Sequence, residues 1–593
     1  MLFSALTRHS LIASLSPHPA RQFSIAPGWF LTCVTDDFLS RLDTSEEEIA
    51  LGESLMAALE PREHDVMFVE ARFLRARNRL EVLKHPVSGR PVYYGQDGQG
   101  NFFLSTHIQL LRQAGISLEE DREVLPELLI YRTVAPPRTL FRGIRQMQLA
   151  GSLSVELKAG TLVLRESRTG YYPAPLAETP ADPAGSVADL LSASIDRLAP
   201  AASRVATLLS GGVDSSILSS IVKDRLAVCD TYSTSYPFDG PATNYEQKYA
   251  LSAASAMSTR HTLFNPTPTD YLTGFIDALA VAETPLNHLQ SVPLYLLFQE
   301  AIPVNLDRVV CGEGADTAFG VETLFNLRQP TDLLRRFCAL PPVHTGLRVL
   351  SPSWPRARHL ANQVAQRRAL TRPISDPLSP MWKYHVYGNV DWVESHYSTS
   401  WPQIMGSRST ELQTLTGRPF EDMLALYALN HCDVSTTTAV WSKLGEGKGK
   451  ILYFPFTSES ILRAAFSIPW KTKLKSEKHI VREAGRRLGV PELILDRPKQ
   501  SFGITTDQWA VKGGPLEPLI GIAAKAVDIK QLRSLQGTEP TKAMTLWCLL
   551  NYAVLQRLFV MGHNREALQD ELSDNCRRVE SEGHLEPLLP FTV

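Results

Sequence analysis

Two glycines and three hydroxyls surround an acid in the run Leu209-Ser210-Gly211-Gly212-Val213-Asp214-Ser215-Ser216, directly after the short run Val205 to Leu208. Apolar run, glycine turn and following polar helix former are the pattern of a strand giving way to a helix. Glycines at such a junction leave backbone N–H groups open to an anion, and the helix N-terminus adds partial positive charge. The chemistry this suits is phosphate binding. It is not a Walker A loop, because no Gly-Lys-Ser/Thr follows. A lone Gly-Gly pair is usually a plain turn, so the weight rests on the five specified positions of SGGxDS.

A second glycine and acid turn, Gly312-Glu313-Gly314-Ala315-Asp316, closes the apolar run Val309-Val310-Cys311. Farther on stand Ser476-Glu477-Lys478-His479-Ile480-Val481-Arg482-Glu483 and Leu495-Asp496-Arg497-Pro498-Lys499-Gln500-Ser501-Phe502-Gly503. In this order the three regions resemble the signatures of the asparagine synthetase superfamily, whose members cleave ATP between its α and β phosphates. The resemblance implies two cofactors, ATP and Mg2+. A carboxylate attacking the α-phosphorus meets about four negative charges on the nucleotide, which calls for Mg2+ held by one or two carboxylates plus phosphate oxygens. Asp214 and Asp316 suit that role. Taken singly, either would be a helix cap or a turn former.

The resemblance also implies the remaining site residues. Ser210, Gly211, Gly212, Asp214 and Ser215 would hold the pyrophosphate, while Leu209, Thr234 and Gly312 lie where the family's backbone meets adenosine. Lys478 would stabilise charge on phosphorus during adenylation and on the oxyanion during amine attack. Outside the EKHIVRE context, a lysine in KTKLKSEKH reads as a solvated surface charge. Glu313 would receive the amine's proton or shape the acceptor pocket, and Arg497 and Lys499 would hold the leaving pyrophosphate. For these three, plain ion pairing is an equal alternative.

Two N-terminal stretches, Gly89-Arg90-Pro91-Val92-Tyr93-Tyr94 and Arg138-Thr139-Leu140-Phe141-Arg142-Gly143-Ile144, resemble pieces of the same family's glutaminase domain. That domain uses the amine and thiol of a cysteine exposed when the initiator methionine is removed. Here Leu2 follows Met1, and Cys33 would serve only after removal of everything before it. The expectation is a degenerate glutaminase domain that releases no ammonia, as in β-lactam synthetases and lasso-peptide cyclases. Thr317 departs from the acid the family usually has after GEGAD. Lys443 to Lys450, KLGEGKGK, precedes Pro455-Phe456-Thr457-Ser458 where a PFLD element is usual. Such a glycine and lysine loop is either flexible and solvated or a phosphate clamp.

The elements that position these residues are partly legible. Between Asp65 and His107, short apolar runs alternate with turns such as Asp97-Gly98-Gln99-Gly100, which predicts antiparallel hairpins. Pro173, Pro175, Pro180 and Pro183 lie in GYYPAPLAETPADPAG, which resists helix and central strand and reads as a linker. Beyond it, Val187, Leu190, Leu191, Ile195 and Leu198 recur at helical spacing. The expected fold is α/β: an Ntn-hydrolase-like antiparallel β-rich domain over 1–172, a proline-rich linker over 173–186, an ATP-pyrophosphatase (PP-loop) synthetase domain with a parallel sheet and a largely helical C-terminal part over 187–565, and a tail over 566–593. The aromatic stretch from Met381 to Trp401 fits neither period, and buried packing or a substrate wall would explain it.

At 593 residues the chain exceeds one ordinary core, and 44% hydrophobic with 21% charged residues describes a folded soluble protein. Sixty basic against 62 acidic residues leave a net charge of −2, which argues against nucleic acid as a partner. The seven cysteines are scattered and never form a CxxC pair, so a reducing cytoplasm is the expected setting. The acid-free first 35 residues, with Arg8 and Arg21, have the composition either of a transit peptide or of an ordinary β-rich start. No apolar run reaches the roughly 18 residues of a membrane span, so no membrane partner is expected. Expected partners are a small-molecule or peptide carboxylate and an amine donor. A homodimer and biosynthetic partner proteins are both compatible with the sequence.

The function expected is ATP-dependent adenylation of a carboxylate followed by amide formation, in specialised-metabolite or peptide biosynthesis such as an antibiotic's. Intermolecular condensation and intramolecular lactam formation stay equally open. An ammonia-dependent asparagine synthetase and an inactive nucleotide-binding scaffold are the alternatives.

Overall fold

A computed structural model of the chain describes residues 11–15, 24–25, 29–34, 48–50, 69–74, 79–84, 91–98, 100–158, 161–167, 171–198, 204–226, 229–238, 245–306, 308–320, 340–350, 354, 357, 386–399, 403–404, 419–431, 433–497 and 509–582. Three sheets organise it. The first runs β2-β3-β1-β8-β7-β9, comprising β1 (Leu11–Leu15), β2 (Ser24–Ile25), β3 (Trp29–Val34), β7 (Tyr93–Gln96), β8 (Phe102–Ser105) and β9 (Ile144–Gln146). Its pairs are antiparallel except β1 with β3, which are parallel. The second, β11-β10-β6-β5-β4, is antiparallel throughout, with β4 (Glu48–Ala50), β5 (Val69–Leu74), β6 (Arg79–Lys84), β10 (Ser152–Lys158) and β11 (Thr161–Ser167).

The predicted hairpins are present, and turn chemistry explains one of them. Asp97 accepts from the Asn101 backbone N–H at 2.9 Å and from its side chain at 2.8 Å, while Gly100 takes φ +81°, so β7 turns back into β8.

The third sheet is parallel, in the order β14-β13-β12-β15-β16, with β12 (Ala206–Leu208), β13 (Asp230–Thr234), β14 (Arg260–Phe264), β15 (Arg308–Val310) and β16 (Ile451–Tyr453). In chain order these strands lie 3-2-1-4-5, so the direction of winding reverses between β12 and β15. A crevice opens outside the carboxyl ends of such a pair, and ligands of open α/β sheets bind there. Among the described residues, the remainder of the C-terminal half is largely helical.

The proline-rich segment stays irregular from Tyr171 to Asp182, and the helix Pro183–Leu198 then begins inside it, with Pro183 at its start. Its buried Val187, Leu191 and Ile195 follow the helical spacing. The segment read as a tail forms the helix Arg565–Glu582, because Leu568 and Leu572 are buried at one-turn spacing.

One expectation about membranes is corrected. Pro540–Val560 is 21 residues long with mean hydropathy 1.3, long and apolar enough to span a bilayer, yet 89% of it is buried inside the protein. It is a core helix. It packs on Leu125–Tyr131, which is itself buried on every side, and one apolar cluster joins Tyr93, Leu111, Leu129 and Ile144 to Trp547 and Leu550.

Within the aromatic stretch, Val390–Tyr397 is a helix capped by Asn389, which the mixed period concealed. Trp392 is buried and donates Nε1–H to Ser534 Oγ at 2.8 Å. Tyr387 lies under the Arg132 guanidinium at 3.4 Å. These aromatics pack. Met381, Trp382, Tyr384 and Trp401 lie outside the described residues.

Candidate active site

The first glycine loop leaves β12 and enters the helix Val213–Arg225. Leu209 N–H still donates to the Tyr232 carbonyl at 2.8 Å, keeping the loop's base in the sheet and close to Thr234 at the end of β13. Gly211 then takes φ +73°, and a Cβ there would collide with the Tyr249 backbone, so both conformation and space demand glycine. Gly212 is the N-cap and no side chain caps the helix, so its first N–H groups face the crevice mouth. The two hydroxyls brace the loop from inside. Ser215 Oγ donates to the Gly212 carbonyl at 3.2 Å and lies 3.1 Å from Ser210 Oγ.

The second loop follows β15 directly alongside. A Cβ on Gly312 would sit 3.1 Å from Ser215 N and 3.3 Å from Asp214 Cβ, so the two loops touch and glycine permits it. Gly314 takes φ +97°, and a Cβ there would strike Thr457 Cγ2. Thr457 is buried in the short helix Pro455–Thr457, in the stretch that departs from the PFLD element. Asp316 thereby sits in the first turn of Ala315–Phe319. Glu313 is half-buried, as is Thr317. Burial first, then the Glu313 charge, push the Cys311 thiol well above its ordinary value, which removes it as a nucleophile.

Lys478 joins the loops. It precedes the helix His479–Arg487 with φ +52°, a left-handed conformation that is costly for a non-glycine residue. Its Nζ lies 2.6 Å from Asp316 Oδ1 and also donates to Asp214 Oδ2. The side chain is only 5% exposed. Burial pulls its pKa down, but the Asp214 and Asp316 carboxylates outweigh that and hold it above the ordinary lysine value. Of the four residues called from sequence for metal and catalysis, Asp214, Asp316 and Lys478 therefore meet at one point, and Glu313 stands in the second loop beside them.

The donor set fits Mg2+. Asp214 Oδ1 is buried and has no hydrogen-bond partner among the described residues, so that oxygen is available to a cation. Among the described residues no group of three or more acids, histidines or cysteines could hold a metal, so an ion held by Asp214 and Asp316 would complete its shell with phosphate oxygens and water.

Arg497 also reaches the loop. Its Nη1 donates to the Gly211 carbonyl at 2.9 Å and its guanidinium stacks 3.6 Å over the Tyr249 ring. Arg482 fixes that segment by donating to the carbonyls of Leu495 and, at 2.9 Å, Arg497. Sequence reading missed Tyr249, which carried no motif, and Arg482, which lay inside the EKHIVRE stretch. Lys499 lies outside the described residues.

The Lys443 to Lys450 stretch is solvated only at its middle, where Gly447, Lys448 and Gly449 form an exposed turn; the lysines at its two ends are buried and bonded within the protein. Lys443 is buried in the helix Asp433–Glu446 and pairs with Glu283, and Lys450 donates to the carbonyls of Pro303 at 2.5 Å and Leu306 at 2.9 Å.

A glycine loop, two carboxylates and a buried lysine gathered at the carboxyl ends of a parallel sheet define a phosphate-handling α/β enzyme. Residues 186–548 match the asparagine synthase family, and the chain belongs to it. That family's domain is an ATP-dependent carbon–nitrogen ligase, which in general uses Mg2+. Over 438 residues the chain is 22% identical to asparagine synthetase (glutamine-hydrolyzing) 1 of Bacillus subtilis (strain 168), covering 72% of this chain and 66% of that protein. Over 469 residues it is 23% identical to asparagine synthetase (glutamine-hydrolyzing) 3 of the same organism, covering 75% and 68%. The chain thus spans about two thirds of the length of each.

Proposed function

We propose that the protein adenylates a substrate carboxylate, releasing pyrophosphate, and passes the acyl group to an amine, releasing AMP. The observation that carries this reading is the meeting of Lys478 with Asp214 and Asp316 between two touching glycine loops. Bound Mg2+ would neutralise phosphate charge. The first loop's N–H groups and Arg497 receive the pyrophosphate, and Leu209, Thr234 and Gly312 border the adenosine. Lys478, held protonated, stabilises the negative charge that develops at phosphorus and then at the acyl oxygen. Glu313, within the second loop, receives the amine's proton. In this reading the parallel-sheet half is a PP-loop pyrophosphatase domain and the N-terminal sheets are a glutaminase-like, Ntn-type layer.

The nitrogen is proposed to come from free ammonia or a substrate amine, a reading supported by the placement of Cys33 inside a paired strand. Cys33 is the fifth residue of β3, in register with Ser14 of β1, so freeing an amine there would remove most of a strand. A specialised product, including a lactam or peptide antibiotic, follows from that reading. A second reading, asparagine synthesis with free ammonia in place of glutamine, is supported in its product alone by the names of both relatives, which print asparagine synthetase and glutamine hydrolysis.

Exchange of labelled pyrophosphate into ATP, run with L-aspartate and a panel of amino-acid and peptide carboxylates, tests the proposal. Exchange dependent on one carboxylate is expected. ATP binding without exchange across the panel would make the protein a nucleotide-binding scaffold instead.

A further inference from the structure

Between the N-terminal sheets and the helical half lies a cavity lined by none of the residues assigned above to nucleotide, metal or catalysis. It offers about 40 Å³ to the centres of water-sized bodies, enough for one small ion with its waters. Lys84, the last residue of β6, lines it while only 3% exposed, and its ammonium has no hydrogen-bond or ion-pair partner among the described residues. A charge so buried is costly unless something neutralises it.

The other groups facing the cavity do not neutralise it. Lys443, from the helix Asp433–Glu446, is already paired with Glu283, and that carboxylate also accepts from Ile108 N–H at 2.8 Å and Gln109 N–H at 3.1 Å. Tyr93, from β7, stays neutral because burial and then Glu283 push its hydroxyl far above its ordinary value. The walls therefore carry one uncompensated positive charge. Gln146 from β9, with Ser435 and Thr436 from the Lys443 helix, line the same space with side chains that have no partner among the described residues.

We propose that this cavity is a binding site for one small carboxylate-bearing monoanion, with Lys84 as its counter-charge and Gln146, Ser435 and Thr436 as hydrogen-bond donors. A single charge is specified because one positive charge is unbalanced, so a phosphate dianion would leave one negative charge buried. Burial lowers the Lys84 pKa to about 8, so the empty site loses its proton near that pH and an anion must then bring a proton in.

Calorimetric titration of the full chain with sodium acetate at constant ionic strength, beside arms with sodium phosphate and sodium chloride, tests the site. Acetate is expected to bind saturably, at least tenfold tighter than the other two, with affinity level below pH 7 and falling about tenfold per pH unit above pH 8. Lys84→Met should abolish binding, and Thr436→Val should weaken it several-fold. Should Lys84→Met fail to fold, the wild-type pH profile decides. Equal heats for all three salts, unchanged binding in Lys84→Met, or an affinity independent of pH would each overturn the proposal.

Discussion

Arg497 and Tyr249 hold the first glycine loop between them: the guanidinium lies 3.6 Å over the ring and Nη1 donates to the Gly211 carbonyl at 2.9 Å. Lysine keeps the charge but neither stacks flat nor donates in a fork. Arg497→Lys and Tyr249→Leu are each expected to weaken ATP binding about fivefold, the size of one such stack. Equilibrium binding of a fluorescent ATP analogue measures it.

Lys478→Ala is expected to lower amide formation by about 10² to 10³-fold, the usual effect of losing one preorganised charge stabiliser, while nucleotide affinity changes little. A fully active variant would refute its assigned role.

The same lysine predicts a pH signature in stability. Its folded pKa lies above the ordinary lysine value, so its contribution is complete below that value and is lost as pH rises through the raised one. Urea melts of the wild type and Lys478→Met should differ by a constant amount from pH 7 to 9 and converge only above pH 10.5.

Gly211→Ala combines a left-handed backbone with a collision at Tyr249. The expected cost is about 1–3 kcal/mol, with loss of ATP binding larger than the loss of global stability, since the strain falls on the loop. Denaturant titration beside ligand binding separates the two.

Glu283 pairs with Lys443 and caps the first turn of Ile108–Gln113 from across the chain, all in buried surroundings. Glu283→Gln leaves Lys443 unpaired and should destabilise by about 3–5 kcal/mol in urea. The double variant Glu283→Met/Lys443→Met should recover much of that loss.

The meeting of the candidate site residues was legible in sequence wherever neighbours along the chain carried it. SGGVDS, GEGAD and EKH each named an element junction, and the fold brought Asp214, Asp316 and Lys478 to one point. What stayed illegible was set by distant packing. Nothing near Tyr249 announces that Arg497 will stack on it, and the end lysines of KLGEGKGK looked solvated because their partners Glu283, Pro303 and Leu306 are far away in the chain. The span from Pro540 to Val560 was likewise underestimated. Polar Thr545 and Asn551 interrupt its apolar run but are wholly buried, bonding to Asn389 N–H and Leu286 N–H.

The core in which Leu129 meets the Pro540–Leu555 helix crosses the proline-rich segment, and Asn430 grips Tyr171 there by both its N–H, at 2.8 Å, and its carbonyl, at 3.0 Å. A protease that nicks the segment between Pro173 and Asp182 would therefore release nothing: two fragments would migrate together until denaturant separated them. Expressed alone, the C-terminal fragment would present the apolar flank of its longest buried helix to water. Whatever chemistry the N-terminal half performs or lacks, it covers apolar surface that the ligase half would otherwise turn to water.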